Sequence, residues 1–369
     1  MVSNIYQDAD ICDVQALETL LSYLPDVIRV DMRRRMFRTF ELFNRERHLE
    51  VVEVVNKILW ICENIAPELP QVIRGKAIRE AYDATEAVQT PTFFAVQLFI
   101  RFVMHAPFYK TSTSRVKACK LLQDNIEDNQ GWNCVKAYGN GCGTFYRFNA
   151  SSKKHFFKVI SDLPVSAIYV CCVIMEVDLF SDWIPFCCRL HNQGEVSHFH
   201  KALFFVVKGV WPFSDRDLFL EGYGVDDLES NRRIWVVAQS LDETRDELPR
   251  GIQPPPCVEG SLRCEAYNSG LRIDVTSPTT TRLSLVVSID PKIPVIPQTV
   301  INWVSGKIMW QIMTEISRAA TVAQDRQSKY FSRRRGRPEM YSMLREHFNE
   351  TFEKMDPQGY KHHAIPEDY

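Results

Sequence analysis

What the chain lacks narrows the field first. In 369 residues no run of about 18 apolar residues is free of charge, and a helix needs that length to cross a bilayer. The nearest candidate, Phe93 to Val103, carries Arg101 and is too short. The opening residues, MVSNIYQDADICDVQALETL, put no basic segment ahead of an apolar core, so no secretory leader is expected. No Cys-x-x-Cys pair occurs, which argues against a zinc site, and no Gly-x-Ser-x-Gly marks a hydrolase nucleophile. A net charge of −2 argues against a globally basic nucleic-acid binder. No cofactor motif is visible, and no metal is expected.

What is present suits a folded protein of two domains, or one domain with a large extension: 45% of residues are hydrophobic and 24% charged. The 11 cysteines are an odd number. Cys171-Cys172 and Cys187-Cys188 sit in apolar segments, which reads as buried free thiol rather than a disulfide framework. A cytoplasmic protein, peripheral at membranes, is the expectation.

Residues 1–112 read as an α-helical extension. Asp13 can cap a segment running to Leu24. Met32 to Ile65 carries Phe37, Phe40, Val52, Val55, Leu59 and Cys62 at helical spacings, and Pro67 and Pro70 end it. Ala77–Ala87 and Phe93–His105 read as further helices, with Pro107 closing the last. The run Arg33-Arg34-Arg35 reads as a solvated helix face.

From Gly131 the period changes. WNCVKAY and TFYRFNA, split by glycines, read as a hairpin, and HFFKVI as a third strand. Pro164 opens a helix through PVSAIYVCCVIMEVDLF, with a short helix around Trp183. Strand-like runs follow at 187–197, 200–210, 216–224, 232–240, 263–276 and 281–289, with a proline-rich loop at 242–260. LRIDV at 271–275 alternates, so one face of that strand is buried. Pro297–Ala320 reads as a long helix with Val300, Val304, Ile308, Ile312 and Ile316, and Ile301, Met309 and Met313 beside them, as its broad apolar stripe. Residues 323–369 read as a polar tail holding the basic knot SRRRGR.

This order predicts an α+β fold: a curved antiparallel β-sheet covered by a long C-terminal helix, a helix-grip arrangement. Residues 113–322 resemble a START domain, the lipid-transfer module related to steroidogenic acute regulatory protein. The resemblance rests on Trp183 with Pro185, WPFSDRD at 211–217, LSLVVSIDPK at 283–292 and IPQTVINWV opening the last helix. It implies one lipid (phospholipid, sterol or fatty acid) held between sheet and helix, with no catalysis. Trp183, Trp211, Arg216, Asp217 and Trp303 are then structural signature residues, with Arg216 and Asp217 pairing to tie a bend. Sterol-binding members carry an acidic residue on the fourth strand and an arginine past the signature, where Arg189 and Gly222 stand here. Phosphatidylcholine carriers place an arginine before that strand, and residues 164–188 hold no Lys, Arg or His.

The candidate head-group anchors are polar residues on otherwise apolar strands: Arg189, Tyr223, Tyr267, Arg272 and Arg282. Arg189 would suit a carboxylate or phosphate. Val304, Ile308 and Ile312 are expected to line the lipid, and the helix from Pro297 to be its movable cover. Arg333, Arg334, Arg335 and Arg337 are expected at an anionic membrane surface during transient contact. Two alternatives stand beside lipid transfer. One is a lipid-regulated sensor using residues 1–112 to engage a protein partner. The other is a helix-grip enzyme of cyclase or hydrolase type, for which His191 and the HFH run at 198–200 are the visible groups.

Overall fold

A computed structural model describes residues 14–24, 26–65, 91–209, 213–241, 252–293, 296–356 and Ile365. Asp13, the Ala77–Ala87 segment, Pro67, Pro70 and Trp211 lie outside the described residues, as do 242–251 of the expected loop. The chain divides into two compact units, Met1–Lys117 and Ala118–Tyr369. The boundary expected at 112/113 falls inside a helix that the sequence reading missed, α5 (Pro107–Glu127). Pro107 opens this helix rather than closing the one before. A proline costs nothing in the first turn, where its missing N–H has no partner anyway.

The first unit holds α1 (Val14–Ser22), α2 (Asp26–Asn44), α3 (His48–Ile65) and α4 (Pro91–His105) with the start of α5. Leu17, Met32, Val55, Phe99 and Phe108 form its core. The expected single helix from Met32 to Ile65 is broken between α2 and α3, although the apolar spacing runs on. Glu46 supplies the break: it sits at φ 58, the left-handed region that glycine usually occupies at a helix end. Arg47 N–H returns to Leu42 O at 3.0 Å and Glu46 N–H to Phe43 O at 3.0 Å, closing the turn. Why a glutamate accepts this strain follows from its carboxylate. It meets buried Arg115 and His48 Nε2 (2.8 Å), while His48 Nδ1 lies 2.9 Å from Ser112 Oγ. Glu46→Ala strips Arg115 of that carboxylate and should cost about 3–5 kcal/mol. A denaturation midpoint equal to wild type would show that the hub does not hold this turn.

The second unit is a sheet, antiparallel except for the short parallel strand Ser261–Arg263, with one long helix across it. Its strands are β1 (Asn133–Gly139), β2 (Cys142–Asn149), β3 (Lys154–Leu163), β4 (Cys187–Ser197), β5 (His200–Val207), β6 (Asp215–Asp227), β7 (Arg233–Ser240), β8 (Ser261–Arg263), β9 (Glu265–Ala266), β10 (Ser269–Ser277) and β11 (Thr280–Asp290). The order is β1-β2-β3-β11-β10-β7-β6-β5-β4, with β8 on β6 and β9 on β11. The expected helix after Pro164 is α6 (Ala167–Met175) followed by a 3-10 turn, Val177–Asp182, and α7 (Leu228–Asn231) links β6 to β7. The last long helix runs as α8 (Gln298–Trp303), a π turn at Val304–Ile308 and α9 (Met309–Ala323). This is the expected helix-grip architecture.

Register decides which side chains share a face. Ile273 pairs with Leu283 and with Ile234, Val159 with Leu285, and Leu203 with Leu220. Ile273, Leu283, Ile234 and Val159 share a core with Met309, Met313 and Ile316, so theirs is the inner face, under the helix. The end of α5 covers the outer face. There Lys158 Nζ reaches the carbonyls of Ile126 (3.0 Å) and Asp128 (3.3 Å), and burial lowers its pKa to about 8. Gly270 is required at this contact: a Cβ there would strike Val236 O and lie 3.0 Å from Leu122 Cδ2.

The expected polar tail after 322 is instead two helices of the same unit, α10 (Lys329–Gly336) and α11 (Pro338–Met355). Tyr330, Met340, Tyr341, Leu344, Phe348 and Phe352 are buried in the inner-face core. The spacing of 340, 341, 344, 348 and 352 is an amphipathic stripe hidden by the polar residues around it.

Candidate functional site

In a filled core the middle of a sheet is its driest place. Here it is not. On β11 the outer-facing Ser284, Val286 and Ser288 are buried, while the inner-facing Leu285, Val287 and Ile289 remain partly exposed. On β7 the outer Trp235 and Val237 are buried, but the inner Val236 and Ala238 are partly exposed. On β6 the outer Phe219, Tyr223 and Val225 are buried, and the inner Leu220, Gly222 and Gly224 are partly exposed. Small residues leave the room: a Cβ on Gly222 would find nothing closer than Leu203 Cδ1 at 3.7 Å. Next to this region, Ile273, Leu283 and Ile234 are packed shut. The inner face thus pairs a closed core with an apolar surface that stays partly exposed. Each methylene of a ligand buried there gains about 0.8 kcal/mol.

The cover is the α8–α9 helix, and it buries the last residue of the expected row, Ile316, together with the residues expected beside that row. Ile301, Ser305, Met309, Met313 and Ile316 face inward, while Val304, Ile308 and Ile312 are partly buried beside them. A four-residue step advances about 400° around a helix, so a strict 300-304-308-312 row drifts about 40° per step off one face. Ser305 Oγ donates to Ile301 O at 2.7 Å inside the π turn. Gly306 lies there against Val135, whose Cγ1 would be 3.4 Å from an added Cβ. Trp303 meets Phe186 edge-on at 5.5 Å.

None of the five expected anchors faces the helix. Arg189 is exposed and pairs with Val206, which belongs to an outer-face cluster. A bulge between Cys187 and Arg189 shifts the parity of that strand, and one residue of shift moves a side chain to the other face. Tyr223 is buried on the outer face, 5.8 Å from the His200 ring. Arg272 is held there by Asp274 (2.8 Å) and Glu127 (2.7 Å), and Arg282 by Asp162 (2.8 Å). Tyr267, between β9 and β10, donates to Glu265, with Lys154 Nζ 3.2 Å from its ring centroid. Burial and then that carboxylate push its hydroxyl up to about 12.

The signature residues act as ties. Asp217 is fully buried; it accepts from Ser261 Oγ (2.6 Å) and Val258 N–H (3.0 Å) and pairs with Arg263. Burial opposes its charge, but these donors win and hold its pKa below the ordinary carboxylate value. Arg216 does not pair with Asp217, since neighbours on a strand point to opposite faces. Its Nε donates to Pro291 O at 3.0 Å instead. Trp183 is buried 5.0 Å from Phe180. The basic knot is largely committed: buried Arg334 donates to Ala323 O (2.8 Å), Arg333 lies 3.6 Å from Asp178, and Arg337 lies 3.6 Å from Glu195. Arg335 is exposed.

For catalysis or metal binding the visible histidines give little. His200 Nε2 lies 3.1 Å from Glu221 on the outer face. Among the described residues no group of three or more His, Cys, Asp or Glu side chains could hold a metal ion. The sequence reading missed one polar pair on the inner face. Tyr146 Oη lies 2.9 Å from His155 Nδ1, with both residues buried. Its only signal was the histidine at the first inward position of HFFKVI. Burial lowers the His155 pKa, against a weaker upward pull from Asp290, and raises that of Tyr146.

No protein-family model matches this chain, and no curated protein does. Among solved structures, human STARD10 is 15% identical, with a TM-score of 0.47, over 61% of this chain and 84% of that one. Human StAR-related lipid transfer protein 5 is 16% identical, with a TM-score of 0.48, over 58% of this chain and 98% of its own. A STAR-related lipid transfer protein fragment from Xanthomonas axonopodis is 14% identical, with a TM-score of 0.41, over 52% and 99%. At these scores the likeness adds no weight to the strand order and final helix described above.

Proposed function

We propose that residues 118–369 bind one lipid between the inner face and the α8–α9 helix, and that the protein carries it between membranes without catalysis. One observation supports this most: apolar side chains on the inner face, in the middle of the sheet, are left partly exposed. Sites for small apolar ligands are concave, largely apolar and mostly preformed. Uptake requires some cover to move, and the π turn at Val304–Ile308 is where this helix departs from regular α geometry. Transient contact with a membrane surface belongs to the same reading.

The test is transfer of a fluorescent lipid from donor to acceptor liposomes. Transfer that rises in proportion to protein, with the lipid recovered intact, supports a carrier. Cleaved lipid would replace it by an enzyme. Arg189→Ala is expected to transfer at the wild-type rate, because Arg189 points away from the helix.

A lipid-regulated interaction protein is the second reading. It is favoured by the helical unit, where Val30 is 74% and Trp60 62% exposed. Binding of lipid with no transfer between liposomes would favour it.

A further inference from the structure

Resting on the lipid-binding reading above, we infer that the site takes an uncharged lipid that presents a hydroxyl to the Tyr146–His155 pair. Along β2, β3, β11, β10 and β7 the inner face carries apolar, hydroxyl or imidazole side chains and no carboxylate, ammonium or guanidinium. The inward residues of the helix, Ile301, Ser305, Met309, Met313 and Ile316, carry no charge either.

Charged residues do reach this face on β4 to β6, and each is engaged. Lys201 Nζ binds Met175 O at 3.1 Å and Glu195 at 3.0 Å. Asp226 meets His347 at 2.5 Å, and Arg216 is tied to Pro291 O. An anionic head group would have to break one of these pairs or stay unpaired, and a buried charge without a partner is strongly disfavoured.

The Tyr146–His155 pair offers the opposite chemistry. It borders the accessible apolar surface: His155 pairs with Ile289, and Phe157 pairs with both Val287 and Tyr146. Tyr146 occupies His155 Nδ1, and the second ring nitrogen, Nε2, has no hydrogen-bond partner among the described residues. On the same face, Thr144 Oγ1 is buried with no hydrogen-bond partner among the described residues. With its pKa lowered by burial, the His155 imidazole stays neutral at pH 7 and can donate or accept. A hydroxyl can do both in return; a carboxylate can only accept.

The experiment displaces a fluorescent lipid from the full-length protein with three ligands of one acyl chain: mono-oleoylglycerol, oleate and oleoyl-lysophosphatidate. Mono-oleoylglycerol is expected to bind about 10-fold more tightly than either anion. Tyr146→Phe and His155→Phe should each weaken it about 5–10-fold and leave oleate unchanged. Should His155→Phe fail to fold, Tyr146→Phe removes a single oxygen and keeps the ring in the core. Oleate or lysophosphatidate binding as tightly as mono-oleoylglycerol would overturn the inference. So would variants that weaken all three ligands alike, since a merely structural role does that. Displacement by none of the three would sink the lipid-binding reading itself.

Discussion

Asp217→Ala is expected to destabilise the 118–369 unit by about 3–5 kcal/mol, the usual cost of removing one partner from a buried ion pair. The carboxylate is fully buried and ties β6 to three groups at or before β8: Arg263, Ser261 Oγ and the Val258 N–H. Without it, Arg263 loses its counter-charge and the other donors lose their acceptor. The pH dependence has a definite sign. The folded pKa of Asp217 lies below the unfolded one, so the carboxylate's contribution is fully present above about pH 3.9. It is lost as pH falls through the lower folded value. Wild type should therefore lose more stability than Asp217→Ala when acidified through that window. Parallel pH profiles for the two proteins would show that the carboxylate is not held as described.

Gly222→Phe should abolish lipid uptake while leaving the fold intact. Gly222 sits on the inner face of β6, pairing with Lys201 and Ala238, and a Cβ there would meet Leu203 Cδ1 at 3.7 Å and Val237 O at 3.9 Å, ordinary contact without a clash. A phenylalanine is a good strand former and would extend over the partly exposed face rather than strike packed atoms. A ring there displaces about four methylenes of a bound chain at about 0.8 kcal/mol each, a loss of about 100-fold in affinity. Filling an apolar void should leave the melting temperature equal or raise it. A lower melting temperature with lipid still bound would mean that the space is not where the ligand lies.

The sheet and its helix were legible because their signal is periodic. Leu271, Ile273 and Val275 alternate with Arg272 and Asp274, and the register sends the two sets to opposite faces. Alternation says that one face is buried and does not say which. That is why Arg272 and Arg282 were expected beside a ligand and lie outside, held by acids. At Arg189 a bulge between Cys187 and Arg189 adds a parity shift that no spacing announces. The last helix carries apolar residues both on the 300-304-308-312 row and beside it at Ile301, Met309 and Met313, and with 3.6 residues to a turn the second set is the one turned inward. Glu46 and α11 show the same limit. A carboxylate in a left-handed turn, and an apolar stripe among polar neighbours, make sense only beside the groups they touch. The Tyr146–His155 pair lay within reach of strand parity but needed two strands in register to be seen.

The central claim is that the partly exposed inner face holds one lipid. Native mass spectrometry of the full-length protein, after exposure to liposomes of mixed lipid composition, tests it most directly. The expected spectrum shows one lipid per chain for the wild type and none for Gly222→Phe. A wild type that emerges without lipid, or a Gly222→Phe variant with the same occupancy, would contradict it.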